Sequence, residues 1–536
     1  MSSRLAIAFW TLTAICGLGG SAGEEFIRTD GSSFFVGQQP YYYAGANFWQ
    51  AVNLASEGTG GDRARLLREL DQLDSLGVSN LRIMAGSEGP DTEPWRMIPS
   101  LQPVPGVYNS DLLDGLDFVL KELGERDMHA ILCLTNFWHW SGGMAQYVSW
   151  NGSGAIPYPP PEPGGDWDTF QDYSSDFYSN AGAKQDFLNH VTFLLERVNS
   201  YTGVVYRDEP AIMAWELANE PRGFHNNATA FNQWIDETAA YIKSIDANHM
   251  VTTGCEGNTP WPSWNGLDFL ANHDGSNIDY TTIHIWPQNW GWYDPDNPAG
   301  TYGPAVLDAR AYLQSHESLA VSLQKPLVLE EFGFARDSGS FDPASTTAWR
   351  DSFLNAMYDE VYASASSEGA AAGSNFWSWA GEGRPLEPYG SHWSNGDPWT
   401  GDPPHEAQGW YSVYDTDSST LSAVAFHAQE MTGLIPFSTT HSLRMDDHEL
   451  RASPNPFNQK TAIRFDIPGS GTYVLTILDP LGRTLAEFIG SHRGSGKLSY
   501  GWDGTDQTGR KVASGVYLVK METSSYSARS RIALIR

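Results

Sequence analysis

The sequence predicts an α/β protein, with a (β/α)8 TIM barrel followed by a small C-terminal all-β sandwich. Two observations lead to this fold class. Eight short apolar runs alternate with amphipathic segments over about 400 residues, and polar side chains follow the ends of several runs. Beyond residue 435 the pattern changes to short alternating segments, separated by turns rich in Gly and Pro.

The barrel is predicted from the order of its elements. The candidate strands are the apolar runs at residues 41–49, 79–84, 129–135, 211–217, 250–254, 280–286, 327–331 and 374–379. The first intervening helix is predicted over residues 65–76, because Leu66, Leu70 and Leu73 share one face and Gly77 follows it. An open doubly wound sheet is the alternative, but no Gly-rich phosphate loop follows the first strand. We therefore expect functional side chains at the carboxyl ends of the barrel strands.

Composition restricts the possible ligands. The chain has 32 Lys and Arg against 64 Asp and Glu, which gives a formal net charge of −32. Such a protein repels phosphates, so a nucleic-acid partner is excluded. The 21 Trp and 24 Tyr cluster in predicted loops such as residues 138–140 and 286–292, and they suit uncharged, partly apolar ligands such as sugar rings.

Four segments are predicted along the chain. Residues 1–23 contain Arg4, an apolar stretch and then small residues, which is typical of a secretory signal, so we expect a secreted or surface-attached protein. That stretch is too short to cross a membrane, and no membrane span is expected. Residues 24–436 are predicted to form the barrel, 437–449 a linker and 450–536 the sandwich.

Few cysteines follow the predicted signal. They are Cys133 and Cys255, and both fall inside predicted strands that are not neighbours in the barrel. We therefore predict two buried free thiols and no disulfide bond.

Two carboxylates stand at the ends of separate predicted strands. Glu220 lies in the run Asn-Glu-Pro that follows a buried strand, and Glu331 lies in the run Glu-Phe-Gly at the end of another. Cleavage of a glycosidic bond needs such a pair, because one carboxyl protonates the leaving oxygen while the other attacks the sugar or activates water. A solvated acid is the simpler interpretation of either residue alone, but the pair favours the catalytic one.

Residues from about 41 to 430 resemble glycoside hydrolase family 5, and within it the endo-β-1,4-mannanases. The segments that carry the resemblance are residues 45–49, 80–82, 142–150, 219–222, 284–286, 331–333 and 376–379. The Asn-Glu-Pro and Glu-Phe-Gly motifs are common to the family, whereas segment 142–150 and Arg222 point to mannanases. The resemblance implies hydrolysis of internal bonds in mannan, glucomannan and galactomannan, with no cofactor and no metal ion.

The resemblance also implies catalytic roles. Glu220 is expected to be the general acid/base, protonated before the reaction, and Glu331 the nucleophile of a retaining double displacement. Arg82 is expected to keep Glu331 ionised. Glu330 precedes Glu331, and because successive strand side chains face opposite ways, we expect only one of the two to point into the site.

Substrate contacts are implied in the same way. The residues expected to bind substrate are Arg82, Asn136, Asn219, Arg222, His284, Trp286 and Trp377. Asn219 is expected to bind the 2-hydroxyl group, together with segment 142–150 and Arg222. Trp377 is expected to lie under the cleaved sugar, with Trp379 as its competitor. Trp286 is a departure, because many family members have a Tyr there that donates a hydrogen bond to the nucleophile.

The tail resembles the C-terminal sorting domains of the type IX secretion system and the related flagellar-hook-cap-like sandwiches. The resemblance is carried by residues 453–457, 501–504 and 509–520. It implies secretion machinery as a partner, while a passive accessory domain is the alternative. Trp502 is the only Trp of the tail, so we expect no polysaccharide platform there.

Two other functions remain open from the sequence. An endo-β-1,4-glucanase of the same family would share the fold and the acid pair. A non-catalytic mannan-binding protein would not need both acids. For the chain as a whole, we expect a monomer.

Overall fold

The computed structural model describes residues 26–434 and, with short gaps at 454, 456, 468–470, 480–482, 493–495 and 524–526, residues 450–534. The predicted signal at 1–23 and the predicted linker at 437–449 lie outside the described residues. The described helices contain none long and apolar enough to cross a membrane.

An eight-stranded parallel sheet forms the centre of the molecule. A small antiparallel sheet precedes it, consisting of β1 (Ile27–Asp30), β2 (Ser33–Val36) and β3 (Gln39–Tyr41). The parallel strands are β4 (Tyr43–Asn47), β5 (Asn80–Met84), β6 (His129–Cys133), β7 (Ile212–Glu216), β8 (Met250–Thr252), β9 (Thr281–Ile285), β10 (Leu327–Phe332) and β11 (Ala371–Phe376). Each predicted strand is confirmed, with ends that differ by a few residues.

The sheet curves into a nearly closed barrel. Its strand order is β8-β7-β6-β5-β4-β11-β10-β9, so β4 pairs with β11, and no regular ladder joins β8 to β9. Backbone bonds still cross that seam, from the Asp279 amide to the Val251 carbonyl at 2.8 Å and from the His284 amide to the Glu256 carbonyl at 3.0 Å. Because all strands run the same way, their carboxyl ends meet at one rim, where a barrel places its functional groups.

The helices connect the strands, and the longer ones cover the outside of the barrel. They are α1 (Ala51–Ala55), α2 (Arg63–Ser75), α3 (Ser110–Gly124), α4 (Gly143–Val148), α5 (Trp167–Ser175), α6 (Ala181–Leu195), α7 (Ala228–Ile245), α8 (Pro262–Asn265), α9 (Phe269–His273), α10 (Pro298–Leu323), α11 (Ala348–Ser366) and α12 (Ser418–Gly433). Helix α2 shows why they form. The Asp62 side chain accepts a hydrogen bond from the Arg65 amide at 2.9 Å, and the predicted apolar face, Leu66, Leu70 and Leu73, is fully buried.

Two long connections rise above the rim. One joins β6 to β7 and contains α4, α5 and α6; the other joins β11 to α12 and contains β12 (Trp379–Gly381) and β13 (Val413–Tyr414). Connections of this length in a compact domain usually form binding walls.

The tail forms two antiparallel sheets. One contains β14 (Leu450–Ser453), β15 (Thr461–Ile467) and β18 (Gly496–Trp502); the other contains β16 (Gly471–Leu478), β17 (Thr484–His492), β19 (Gly515–Thr523) and β20 (Ser527–Leu534). Their core includes Ile463, Leu475, Val519 and Ile532. The predicted all-β tail is confirmed.

Candidate active site

A cavity of about 740 Å³ lies at the carboxyl-terminal rim of the barrel. The predicted site residues that line it are Asn219, Glu220, Arg222, Trp286, Glu331 and Trp377. Arg82, Asn136 and His284 lie beneath this lining and are almost completely buried. The structure therefore brings all nine predicted residues to one place, six of them on the cavity wall and three behind it.

Glu220 follows β7 with a left-handed backbone, at φ +48°. A residue other than Gly adopts this conformation only where its surroundings hold it, and such residues concentrate at functional sites. The Gly254 carbonyl accepts from its amide at 3.0 Å. Its carboxylate contacts His284 Nδ1 at 2.7 Å and accepts a hydrogen bond from Trp138 Nε1 at 2.6 Å.

Glu331 belongs to β10 and is nearly buried. Its carboxylate forms an ion pair with the Arg82 guanidinium and lies 3.3 Å from His284 Nδ1. One carboxylate oxygen of Glu331, one of Glu220 and a ring nitrogen of His284 are all within 4.8 Å of one another. This is the close spacing in which one carboxyl can attack a sugar while the other exchanges a proton with its glycosidic oxygen.

Of Glu330 and Glu331 only Glu331 lines the cavity, as expected, but the two side chains do not simply face opposite ways. The pairing of β10 with β9 shifts register between Leu329 and Glu331, as at a β-bulge, so the regular alternation is lost at this point. The Glu330 carboxylate lies 3.4 Å from His284 Nε2 and 3.8 Å from Arg82 Nε. Only Glu331 of the two lines the cavity, while Glu330 lies beneath it.

His284 is the centre of this charge network. Burial disfavours its cationic form, but the carboxylates of Glu331, Glu220 and Glu330 outweigh burial and raise its pKa to about 10. The imidazolium therefore persists at neutral pH. Glu220, His284 and Glu331 each place one potential ligand atom within 4.8 Å of the others, and His284 lies 2.7 Å from Glu220 and 3.3 Å from Glu331.

The protonation of the two acids differs from the sequence-based expectation. Burial raises the pKa of Glu331 to about 8, although His284 and Arg82 oppose it. Burial also acts on Glu220, but the hydrogen bond and charge of His284, together with Arg222, lower its pKa to about 2. These opposite shifts favour the proton on Glu331 over Glu220. The reason is geometric, because His284 Nδ1 is closer to Glu220 than to Glu331.

Arg82 is held by a carboxylate that sequence reasoning missed. Glu216, the last residue of β7, accepts from Arg82 Nε at 2.7 Å and from Nη2 at 2.5 Å. Asn47 and Asn219 also accept from this guanidinium, at 3.1 and 2.8 Å. The signal for Glu216 was a charged residue inside an apolar strand, since a buried charge needs a partner.

Asn136 orients Asn219. The Asn219 amide donates to Asn136 Oδ1 at 3.0 Å, and the Trp138 backbone amide donates to the same oxygen at 3.0 Å. Asn136 therefore links the loop that carries Trp138 to Asn219 on the cavity wall.

Arg222 lies on the Glu220 side of the cavity. It forms a bidentate ion pair with Glu256, at 2.7 and 2.8 Å, and donates to Gln171 at 2.9 Å. Its guanidinium is 4.8 Å from the centre of the Trp138 ring. A planar guanidinium held in this way is a fixed donor at the wall.

The tryptophans near the ends of β9 and β11 differ in whether they reach the cavity. Trp377 and Trp286 line the cavity and meet edge to face, with ring centres 5.8 Å apart. Trp379 is fully buried and donates to Glu69 at 3.0 Å, which leaves Trp377 as the candidate floor. Among the hydrogen bonds of residues 26–434, none joins Trp286 to Glu331.

Segment 142–150 lies behind the cavity wall. Its Gln146 and Tyr147 side chains are buried, and Gln146 accepts from Arg96 at 3.0 Å. No residue of this segment belongs to the described cavity lining, so the expectation that it reads the substrate directly was wrong. Its apolar and amide side chains pack inward and support the neighbouring loop of Trp138 and Trp140, which does line the cavity.

The connection from β11 to α12 contributes a wall that the sequence did not reveal. His392, His405, Glu406 and Trp410 line the cavity from this side. Burial, followed by the charges of Asp402, Glu220 and Glu331, raises the pKa of Glu406 well above its ordinary value. These residues follow no strand end, so the pattern of polar residues after apolar strands does not indicate them.

The thiol prediction is confirmed, since Cys133 and Cys255 are buried and unpaired. The barrel and its paired carboxylates define a glycoside hydrolase of the (β/α)8 class. Comparison with known proteins makes this more specific. Residues 24–435 match the family described as GH family 5 beta-mannosidase-like. The chain belongs to glycoside hydrolase family 5.

Two similar curated proteins come from plants. The chain is 34% identical over 426 residues to the putative mannan endo-1,4-beta-mannosidase 9 of Oryza sativa subsp. japonica, covering 77% of this chain and 91% of that protein. It is 33% identical to mannan endo-1,4-beta-mannosidase 7 of Arabidopsis thaliana, covering 66% of this chain and 77% of that protein.

Solved structures agree on the barrel. The family 5 mannosidase from Rhizomucor miehei superposes with a TM-score of 0.71 at 36% identity, covering 77% of this chain and 99% of that one. The endo-1,4-beta-mannanase from the same organism gives a TM-score of 0.54 at 25% identity, covering 76% and 99%. Residues 454–527 match the FlgD Ig-like domain.

Proposed function

We propose that the protein hydrolyses internal β-1,4-mannosidic bonds of mannan, glucomannan and galactomannan with retention of configuration. The observation that carries this proposal is the approach of Glu220 and Glu331, whose carboxylate oxygens lie within 4.8 Å. Retaining enzymes hold their carboxyls about 5–5.5 Å apart, whereas inverting enzymes leave about 6.5–9.5 Å for a water molecule.

The reaction takes two displacements. In the first, Glu331 attacks the anomeric carbon, the glycosidic bond breaks, and Glu220 gives its proton to the leaving oxygen. In the second, Glu220 removes a proton from water, the water oxygen bonds to the anomeric carbon, and Glu331 is released. Arg82 stabilises the negative charge that returns to Glu331.

The first step requires the proton to be on Glu220. The raised pKa of Glu331 and the lowered pKa of Glu220 favour the proton on Glu331, so substrate binding has to shift it. His284 Nδ1 lies 2.7 Å from Glu220 and 3.3 Å from Glu331, and is placed to pass one proton between them. A glycosidic oxygen beside Glu220 favours this shift, because it accepts a hydrogen bond that only the protonated acid can donate.

Mannose differs from glucose at the axial 2-hydroxyl group. Asn219 is the candidate reader of this group, because Arg82 and Asn136 hold its side-chain oxygen and nitrogen in one orientation. The mannanase names of the curated relatives support the same substrate class. We expect at least about tenfold higher kcat/KM on mannan than on β-glucan, a preference of about 1.4 kcal/mol. Comparable rates on both would instead identify an endo-glucanase.

A second candidate is removal of terminal mannose units. It is favoured by the connection from β11 to α12, whose His405, Glu406 and Trp410 side chains wall the cavity. The family description and the Rhizomucor miehei mannosidase point in the same direction. Early products of a galactomannan digest distinguish the two activities: internal cleavage gives a range of oligosaccharides and a rapid fall in viscosity, while terminal cleavage gives mannose alone.

For the tail, we propose a role in export or surface attachment without polysaccharide binding. Trp502 is buried in its core, and the large apolar side chain that is exposed among its described residues is Ile489, which is not aromatic. A sheet without exposed aromatic rings offers no stacking surface to a sugar chain. The predicted signal at 1–23 motivates the secreted location.

A further inference from the structure

Three tryptophans are exposed among the described residues. The exposed fraction is 37% for Trp167, 53% for Trp261 and 51% for Trp264. Trp167 and Trp261 line the active-site cavity, and Trp264 follows Trp261 by three residues. Leaving an indole in water gives up the favourable free energy of its burial, so a cluster of exposed indoles beside a cavity indicates a ligand surface.

The backbone under Trp261 and Trp264 is held firmly. The Leu267 amide donates to the Pro262 carbonyl at 2.9 Å, and the His225 amide donates to the Trp264 carbonyl at 3.1 Å. Gly266 has φ +64°, and a Cβ there would lie 2.0 Å from the Gly223 carbonyl oxygen. The segment is therefore ordered before any ligand arrives, which reduces the entropy lost on binding.

The orientation of Trp264 is also supported. Its ring meets the His225 ring edge to face, with centres 4.3 Å apart and planes at 88°. His225 in turn contacts the Asp172 carboxylate through Nδ1 at 2.7 Å. An exposed indole fixed by a partly exposed neighbour has less rotamer freedom to lose when a ligand stacks on it.

These tryptophans lie on the acid/base side of the cavity. Arg222 is two residues after Glu220, and its guanidinium donates to Asn265 Oδ1 at 3.5 Å. Asn265 belongs to α8, which begins directly after Trp261 and contains Trp264. Glu220 protonates the leaving oxygen under the proposed function, so the sugars that follow this oxygen extend toward Arg222 and α8. Trp377, the candidate floor residue, directly follows β11 and lies on the other side of the cavity, beyond Glu331.

We propose that Trp261 and Trp264 form a platform for the sugar units on the leaving side of a β-linked polysaccharide. The platform rests on the proposed function and adds the direction in which the chain leaves the cavity. A pyranose ring presents C–H groups on its faces and hydroxyls at its edge, which suits an indole face beside the Arg222 donor. The platform also gives a reason for binding a polymer more tightly than its fragments.

The test compares long and short substrates. In the full-length Trp264→Ala variant we expect the ratio of kcat/KM for mannohexaose to that for the shortest aryl β-mannoside hydrolysed to fall about tenfold, mainly through KM. Trp264→Phe keeps an aromatic face and should recover much of the ratio. Leu270→Ala is the matched control, since Leu270 is 38% exposed on the neighbouring α9 and should leave the ratio unchanged.

The outcomes separate the platform from the proposed function. An unchanged ratio in the folded Trp264→Ala variant overturns the platform. The platform is also overturned if the substitution changes only the self-association of the protein, measured by sedimentation. Binding of mannohexaose to the Glu331→Gln variant, followed by calorimetry, does not depend on turnover. It should weaken when Trp264→Ala is added. If the wild-type protein cleaves no mannoside but its Glu331→Gln variant binds mannohexaose through Trp264, the proposed function falls and the platform stands.

Discussion

At the scale of single residues, the active site is a balance of buried charges. Glu216, Glu220, Glu330 and Glu331 surround the cations of Arg82 and His284, and each carboxylate contacts at least one of them. Unpaired, these charges could not be buried at such a density. The network therefore fixes both the direction of the two cavity acids and their protonation.

Azide should distinguish the two acids. In Glu220→Ala, an activated aryl mannoside still forms the glycosyl-enzyme, and azide can attack it without a general base, giving the β-mannosyl azide. In Glu331→Ala, azide should replace the nucleophile and give the α-azide. Product anomers are read by NMR. The same anomer from both variants would contradict the assigned roles.

The pH profile should show the shared proton. Burial raises the pKa of Glu331 to about 8, so the pair carries one proton below that pH and loses it as the pH rises through it. Since the leaving oxygen needs this proton, kcat/KM on mannan should fall above about pH 8. A dinitrophenyl leaving group needs no protonation, and its rate should persist there. If kcat/KM for both substrates already fell as the pH rose through about 5, the raised pKa of Glu331 would be contradicted.

Most of these residues could be predicted from the sequence, because Glu220, Glu331 and His284 end apolar strands. Glu406 and His405 could not, since they lie in a long connection whose path depends on tertiary packing. The direction of Glu330 was also beyond the sequence, because a register shift within β10 leaves no signal in the residue pattern.

At the scale of elements, strand and helix periodicity predicted the barrel, while the loops required the structure. The eight strands are nearly continuous apolar runs because both of their faces are buried. Segment 142–150 illustrates the limit, since its motif indicated a binding loop and its side chains pack beneath one. A motif fixes which residues a segment contains, and packing decides which way they point.

The turn at Gly142 should be essential to this packing. Gly142 has φ +94°, and a Cβ there would lie 1.9 Å from the Glu88 carbonyl oxygen. Gly152 has the same φ with open space around it. We expect Gly152→Ala to cost on the order of 1 kcal/mol and Gly142→Ala at least about 2 kcal/mol more, measured as urea-unfolding midpoints. Equal costs would mean that the close approach at Glu88 has no effect.

At the scale of the whole molecule, the proposed function divides the chain into a catalytic barrel and a tail that serves delivery. The two described parts have separate hydrophobic cores, one centred on the barrel and one on Ile463, Leu475 and Val519. Parts with separate cores can keep their own structures. The net charge of −32 is compatible with an uncharged polysaccharide, which needs no electrostatic steering.

Removal of the tail should leave catalysis intact. A variant ending at Leu434 should keep its kcat and KM on both soluble and insoluble mannan, but should fail to reach the outer surface in the native host. Fractionated cells and the two assays measure this directly. If only the activity on insoluble mannan were lost, the tail would instead be a carbohydrate-binding module.

The central claim is that Glu331 forms a covalent bond to the sugar. A 2-deoxy-2-fluoro-β-mannosyl fluoride slows the release of such an intermediate more than its formation, so it should inactivate the protein and label one peptide. We predict that mass spectrometry of a protease digest places the sugar on Glu331. A label on Glu330, or no label together with a product of inverted configuration, would contradict the account.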